Sequence, residues 1–171
     1  SWLKDHLETK ASLDQICDKL PMLGLEVESV QNRSIELSEF IVGYVVKAYQ
    51  HPNADRLRVC IVDTGSEKIQ VVCGAPNARE GIKGVFAPAG ARIPATGEEL
   101  KKGVIRGEES NGMLCSEREM GISDEHDGII ELPEDSKVGE GYAKVAGLDD
   151  PIIDIAITPD RADCLGVRGI A

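Results

Sequence analysis

The chain has 171 residues, of which 42% are hydrophobic, 29% charged and 4% aromatic, a composition typical of a folded globular protein and not of a disordered one. Its apolar runs are far shorter than the roughly 20 residues that span a bilayer, so we expect no membrane partner. The formal net charge of −11 excludes a strongly basic nucleic-acid binder, and any RNA contact must therefore use a local basic patch.

The first well-defined element is a short helix whose beginning is marked by a capping box. Ser12 stands three residues before Gln15, a spacing at which each side chain can bond the other's backbone N–H. An apolar stripe with helical spacing follows, and we expect Pro21 and Gly24 to end the helix. Apolar residues at positions 2–7 predict a further helical turn before it.

From about residue 40 the hydrophobic pattern changes to alternation or continuous apolar runs, which indicate strands. Turn-forming Gly, Pro, Asn and Asp residues separate these runs, and several short strands at regular spacing predict a small barrel or sandwich. Ser116 and Glu119 form a second capping box, which predicts a single helical turn that Gly121 closes. The predicted strands are 40–49, 57–63, 68–73, 84–88 and 128–132.

The fold class predicted from these elements is α+β, with a five-stranded OB-fold barrel at residues 39–149. The flanks, residues 1–38 and 150–171, are each too short to bury a core alone. Both carry apolar faces, so we expect them to pack on one another as a small, mainly helical, discontinuous domain into which the barrel is inserted. A predicted helix at 163–170 has no stop signal before the last residue, and we expect the chain to be part of a longer cytoplasmic protein.

The cysteines and histidines do not predict a metal or catalytic site. Five widely spaced cysteines with no Cys-x-x-Cys pair favour free buried thiols, and the scattered histidines lack zinc-ligand spacing. Cys115 or Ser116 could be interpreted as a nucleophile, and His51 with Asp55 as an acid/base pair. Packing, helix capping and turn formation are simpler functions for these residues, and no catalytic motif accompanies them. We therefore predict no metal and no catalytic residue.

Acidic residues outnumber basic residues by a smaller margin in the predicted barrel than in the flanks. Between positions 40 and 148 there are 13 Lys and Arg against 17 Asp and Glu. Most of these cations lie in or beside predicted loops, where they could reach phosphates or could equally be solvated surface charges. The candidates for RNA contact are Arg56, Arg58, Arg79, Lys83, Arg92, Lys101, Lys102 and Arg106.

Four ordered motifs in the barrel interval carry a resemblance to a known family. They are HPNADRL from His51, VCGAPN from Val72, SNGMLCS from Ser110 and EMGI from Glu119. This string resembles the EMAP II-like tRNA-binding domain, which occurs in free-standing tRNA-binding proteins, in some methionyl-tRNA synthetases and in the bacterial phenylalanyl-tRNA synthetase beta subunit. The flanks are similar to the N-terminal part of that beta chain at 1–3, 24–28 and 158–165, although Asp160 and Gly166 stand where Asn and Ser are usual.

The resemblance implies a tRNA partner and no DNA partner, and the few aromatic residues of the barrel favour recognition of tRNA shape over sequence. It also implies a parent enzyme that joins phenylalanine to tRNA with ATP and Mg²⁺, with catalysis in an alpha subunit of an α2β2 heterotetramer and no cofactor in this piece. The candidate tRNA-binding residues, five of them by resemblance and three by charge, are Asn53, Asn77, Ser110, Met113 and Ser116, and Arg56, Arg79 and Arg106.

Two other functions remain open at this point. A structural module that assembles the enzyme with little RNA contact is favoured by the acidity of the chain. A stand-alone tRNA-binding protein is also compatible with the barrel motifs, but the unfinished helix at the C-terminus argues against it.

Overall fold

The computed structural model describes residues Trp2–Ala171; Ser1, with which the predicted first flank begins, lies outside the described residues. Strands and short helices alternate along this part of the chain, and none of its helices is long and apolar enough to cross a membrane. The helices are α1 (Leu13–Met22), α2 (Arg33–Glu36), α3 (Tyr142–Val145) and α4 (Val167–Ile170), with 3-10 helices at Leu3–Asp5 and Ala162–Cys164. The strands are β1 (Glu26–Gln31), β2 (Ile41–Gln50), β3 (Arg58–Asp63), β4 (Lys68–Cys73), β5 (Lys83–Pro88), β6 (Gly103–Ile105), β7 (Glu108–Ser110), β8 (Gly112–Leu114), β9 (Glu131–Leu132) and β10 (Ile152–Ala156).

Contacts between residues divide the chain into two units. One contains the N-terminal residues as far as Ser34 together with Leu148–Ala171, and the other contains Ile35–Gly147. We call them the split unit and the barrel unit.

Helix α1 of the split unit begins at the predicted capping box. The Ser12 Oγ accepts the Gln15 N–H at 3.3 Å, and the Gln15 Oε1 accepts the Ser12 N–H at 3.0 Å. Pro21 was predicted to help end the helix, but it lies in the last helical turn. The helix ends at Met22, and Gly24, two residues further on, has a φ of 79° that is readily adopted only by glycine. The Gly24 N–H donates to the Pro21 carbonyl and the Leu25 N–H to the Leu20 carbonyl, which is a Schellman motif.

The split unit contains a two-stranded sheet as well as short helices. Strands β1 and β10 are antiparallel, with Glu26 opposite Ala156 and Gln31 opposite Ile152. The single helix predicted at 163–170 is wrong, because Gly166 is extended and separates a 3-10 helix from α4. The buried core of the unit is small and consists of Leu20, Leu25 and Cys164.

The barrel unit is a nearly closed antiparallel barrel of five strands in the order β4-β3-β2-β5-β8, and β9 adds to β5. This confirms the predicted OB-like fold class. The barrel closes against β4 at the junction of β7 and β8, where the Asn111 N–H donates to the Gln70 carbonyl at 3.0 Å and the Val72 N–H donates to the Ser110 Oγ at 3.1 Å. Its core is mainly aliphatic and includes the aromatic ring of Phe86; the other buried members are Val45, Cys60, Val62, Val71, Cys73, Ala78, Ile82, Leu114 and Ile129.

Four of the predicted barrel strands lie within one residue of the observed β2 to β5, but the segments after β5 differ from prediction. The helical turn predicted at 116–121 is a set of hydrogen-bonded turns, in which the Met120 N–H donates to the Ser116 carbonyl. The strand predicted at 128–132 is reduced to β9, because the Ile129 N–H donates to the Asn77 side chain and not to a neighbouring strand. The hairpin of β6 and β7 and the short strand β8 were not predicted.

Candidate nucleic-acid interface

The loop between β2 and β3 is ordered by hydrogen bonds within itself. The Gln50 side-chain amide donates to the carbonyls of Ala54, Asp55 and Leu57 at 2.9–3.1 Å. This arrangement fixes the turn predicted from the Pro, Asn and Asp residues of this segment. It leaves the side chains of Asn53 and Arg56 exposed on the surface.

The second element of the interface is the hairpin formed by β6 and β7. Its two-residue loop is Arg106-Gly107, with φ angles of 50° and 98°, as a type I′ turn requires at both central positions. Arg106 is the one non-glycine residue with positive φ among the residues that the structure describes. The turn holds Arg106 at the tip of the hairpin, and Lys101 and Lys102 are exposed just before β6.

Hydrogen bonds join the hairpin to the loop. The His51 Nε2 lies 2.9 Å from the Ile105 carbonyl oxygen, and the Asn53 Nδ2 donates to the Arg106 carbonyl at 3.0 Å. In return the Arg106 guanidinium donates to the Asn53 carbonyl at 3.4 Å. Residues 51–58 and 101–107 therefore form one continuous feature, which we call the hairpin–loop surface.

The hairpin–loop surface is the basic part of an acidic chain. Its one acidic residue is Asp55, and the two glutamates that follow it in β7 are partly engaged, since the Glu108 carboxylate accepts the Gln70 side-chain amide at 3.0 Å. Exposed cations in a hairpin and a loop can reach phosphate oxygens. The exposed cations of the surface are Arg56, Arg58, Lys101, Lys102 and Arg106.

Ser110 is a closure residue of the barrel. Its side chain is 7% exposed, and its Oγ accepts the Val72 N–H and donates to the Gly112 carbonyl at 3.2 Å. The Ser110 hydroxyl thus acts as both a donor and an acceptor of hydrogen bonds within the protein. The predicted contact of Ser110 with tRNA gains no support from this geometry.

Asn77 and Arg79 are both occupied by the segment around β9. The Asn77 amide exchanges hydrogen bonds with both backbone groups of Ile129 at 2.9 Å. The Arg79 guanidinium makes two parallel bonds of 2.7 Å to the Glu131 carboxylate. That pairing lowers the pKa of Glu131 and raises the pKa of Arg79. Asn77 acts as a clamp on the chain, and Arg79 is less available to a phosphate than an unpaired arginine.

Met113 and Ser116 line a cleft of about 630 Å³ between the end of β4, β8 and the loop before β9. The Ser116 hydroxyl and the Ser116 N–H both donate to the Glu119 carboxylate. The bond from the N–H is one of the two hydrogen bonds of the predicted capping box. Besides the Cys73 thiol, the ionisable lining groups are Glu119, His126 and Asp127, with no Lys or Arg among the lining residues. The charge of this cleft disfavours phosphate, in contrast to the hairpin–loop surface.

The structure therefore separates the eight candidate residues into groups. Asn53, Arg56 and Arg106 share the hairpin–loop surface, whereas the other five serve barrel closure, clamping, ion pairing or the acidic cleft. Sequence reasoning missed His51 as the link between the two segments, because its partner Ile105 is 54 residues away and is contacted through its backbone. The Arg106-Gly107 pair was the one local signal of the hairpin.

Of the two remaining basic candidates, Arg92 is exposed outside the hairpin–loop surface, and Lys83 is bonded within the protein. The Lys83 ammonium donates to the carbonyls of Glu134 and Ser136. All five cysteines are free, and burial raises the pKa of Cys60 to about 12. No group of three metal-ligating side chains occurs within Trp2–Ala171.

Comparison with known proteins identifies the barrel. Residues 40–141 match the family model described as "Putative tRNA binding domain". The whole chain is 60% identical to the phenylalanine–tRNA ligase beta subunit of Nitrobacter winogradskyi and 58% identical to that of Bartonella henselae, and it covers 22% and 21% of those proteins. For Rhodospirillum rubrum the identity is 59% over 99% of this chain. The chain spans about a fifth of the length of these curated relatives.

Among solved structures, a MetRS-related protein from Pyrococcus horikoshii is 30% identical, with a TM-score of 0.45 over 60% of this chain and 87% of that protein. The C-terminal domain of Plasmodium vivax p43 is 23% identical, with a TM-score of 0.43 over 60% of this chain and 57% of that chain.

Proposed function

Because the chain belongs to the tRNA-binding domain family over residues 40–141, we propose that it is the tRNA-binding, non-catalytic part of a phenylalanine–tRNA ligase beta subunit. The observation that carries the proposal is the hairpin–loop surface. It gathers five exposed cations beside a single carboxylate on a chain whose net charge is −11. Phosphate neutralisation supplies most of the non-specific affinity of a protein for nucleic acid, and this surface gathers cations that can supply it.

Recognition by this surface is of tRNA shape. The hairpin and loop present cations and backbone but few aromatic faces for stacking bases, so they are suited to a defined arrangement of phosphates. Asn53 can donate or accept beside Arg106, and Arg56 extends the basic surface along the loop. Met113 and Ser116 in the neighbouring cleft would contact at most an unpaired base or a ribose, because the acidic lining disfavours phosphates.

The relatives' name supports a parent enzyme that joins phenylalanine to its tRNA, with ATP as a co-substrate and Mg²⁺ as a cofactor, both bound outside this chain. An alpha subunit, an α2β2 assembly and a cytoplasmic location belong to the same proposal. The predicted domains, 1–38 with 150–171 and 39–149, would then be two domains of the beta chain. The split unit and the barrel unit have boundaries within four residues of these.

A structural function is the second candidate, and it is favoured by the overall acidity of the chain. On that account the barrel helps to assemble the enzyme while tRNA is held elsewhere. The two functions differ in whether the isolated chain binds tRNA at all.

The test is titration of the 171-residue chain with folded tRNA at low and physiological salt, with a generic RNA hairpin as competitor. The tRNA-binding function predicts saturable binding that weakens as salt rises and is competed poorly by the hairpin. Absence of binding at low salt, with the chain folded by circular dichroism, would leave the structural function.

A further inference from the structure

His51 is a buried histidine with both ring nitrogens bonded to segments of the hairpin–loop surface. Its residue is 2% exposed. The Nδ1 lies 3.0 Å from the backbone nitrogen of Asn53, and the Nε2 lies 2.9 Å from the carbonyl oxygen of Ile105. One ring thus touches both the loop that carries Arg56 and the hairpin that carries Arg106.

These partners determine where the proton of the imidazole lies. A backbone N–H can only donate, so the Nδ1 facing Asn53 accepts and carries no proton. A carbonyl can only accept, so the Nε2 facing Ile105 carries the proton and donates it. The ring is therefore the neutral Nε2–H tautomer, with both nitrogens satisfied.

The hairpin depends on this contact for its position. A two-stranded ribbon is marginally stable alone, so β6 and β7 need fixing from outside. Strand β7 is fixed by the Gln70 side chain, which donates to Glu108 and to the Glu109 carbonyl. Within Trp2–Ala171, the side-chain hydrogen bonds that reach β6 and the turn from the loop come from His51 and from Asn53 with its partner Arg106.

We propose that His51 is a positioning residue for tRNA binding: as the Nε2–H tautomer it holds the β6–β7 hairpin against the loop, so that Arg106 meets phosphate with the loop cations in a fixed geometry. This inference rests on the proposed function of the hairpin–loop surface. His51 itself contacts no RNA. Its effect on affinity passes through the Ile105 carbonyl to the neighbouring Arg106.

Two substitutions at this position separate the two hydrogen bonds of the ring. In His51→Gln the side-chain amide nitrogen reaches about as far as Nε2, so the bond to Ile105 can be kept while the Nδ1 acceptor is lost. In His51→Asn the amide oxygen replaces the Nδ1 acceptor, and nothing reaches Ile105. Both variants lose the ring; they differ by one methylene in size and in which of the two hydrogen bonds they keep.

The experiment measures tRNA affinity of the 171-residue chain and of each variant, with thermal melts to show that both variants fold. We expect His51→Asn to weaken binding roughly tenfold, about the loss produced by removing one charge-assisted contact, and His51→Gln to weaken it far less. Equal affinities of the two folded variants would overturn the positioning function.

A double-mutant cycle with Arg106→Ala supplies the second readout. If His51 acts through Arg106, His51→Asn has little further effect on affinity once Arg106 is alanine; fully additive losses would contradict the proposal. The cycle also separates this inference from the function beneath it. If Arg106→Ala binds tRNA as well as the unmodified chain, the hairpin–loop surface itself is not the site, and both proposals fail. If Arg106→Ala weakens binding and His51→Asn does not, the positioning function alone fails.

Discussion

Asn53 and Arg106 are hydrogen-bonded to one another through opposite combinations of side chain and backbone. The Asn53 Nδ2 donates to the Arg106 carbonyl at 3.0 Å, and the Arg106 guanidinium donates to the Asn53 carbonyl at 3.4 Å. The two residues are 53 positions apart in the sequence, and both were candidates for tRNA contact. Their pairing turns two separate predictions into one surface.

Substitutions of Asn53 and Arg106 distinguish an effect of charge on tRNA binding from an effect of hairpin position. Asn53→Ala should weaken tRNA binding a few-fold without changing its salt dependence, since no cation is lost. Arg106→Ala should make the negative slope of log K against log salt less steep by about 0.7 to 0.9 if the guanidinium meets one phosphate. Affinities of both variants at four or more salt concentrations check this. A reduced slope for Asn53→Ala would show that its side chain does more than hold the turn.

Gly112 is required where β8 passes Phe86. A Cβ built on Gly112 would lie 2.5 Å from the Phe86 ring and 2.9 Å from the Ala87 carbonyl oxygen. Gly112→Ala should therefore lower the free energy of unfolding by roughly 1–3 kcal/mol, as overpacking of a core does. Gly103, at the beginning of β6, has nothing within 4 Å of its Cβ position, so Gly103→Ala is the matched control and should be nearly neutral. Urea denaturation measures the free energy of unfolding of both variants, and equal values for the two would contradict the packing argument.

Asn77 is expected to affect stability and not tRNA affinity. Asn77→Ala leaves both backbone groups of Ile129, a residue only 6% exposed, without their partner. The expected loss of stability is about 1–3 kcal/mol. Asn111→Ala is the control, because the Asn111 side chain makes one long bond of 3.5 Å to Glu109. Melting curves and tRNA titrations of the two variants are sufficient, and a stable Asn77→Ala chain with weakened tRNA binding would restore Asn77 to the tRNA site.

The buried thiols are expected to be inert in the folded chain. Burial raises the pKa of Cys60 to about 12 and also raises the pKa of Cys115, so both are protonated at pH 8. Only the thiolate reacts with alkylating reagents. Cys17 is the least buried cysteine, although desolvation and the neighbouring Asp14 and Asp18 raise its pKa too. Brief iodoacetamide treatment at pH 8 followed by peptide mass spectrometry should find Cys17 modified first, and comparable modification of Cys60 would contradict the closed barrel.

The sequence predicted the regular part of the fold well, because that part depends on local patterns. The Ser12 capping box and the alternating apolar runs of β2 to β5 are written in neighbouring residues. The failures lie where long-range contacts override such patterns. The Asn77 clamp shortens β9, and an extended Gly166 divides the last helix.

The site was predicted only in part for the same reason. Exposed arginines are visible in a sequence, but whether each is free or paired is decided by residues far along the chain. Arg79 and Arg106 looked equivalent as candidates, yet the first is paired with Glu131, 52 residues away, and the second lies at a hairpin tip beside Asn53. His51 was assigned to a turn, and its contact with Ile105 could not be inferred from spacing.

The most direct test of the central claim compares Arg106→Ala with Lys68→Ala for binding to folded tRNA at low salt. Both remove one exposed cation from the barrel unit. Lys68 stands opposite Asp63 in the register of β3 and β4, at the other end of this strand pair from Arg58 of the hairpin–loop surface. We predict that Arg106→Ala weakens binding about tenfold and that Lys68→Ala changes it less than twofold, since one charge-assisted contact is lost only in the first. Equal losses in the two variants would mean that tRNA responds to overall charge alone, and the hairpin–loop surface would not be its binding site.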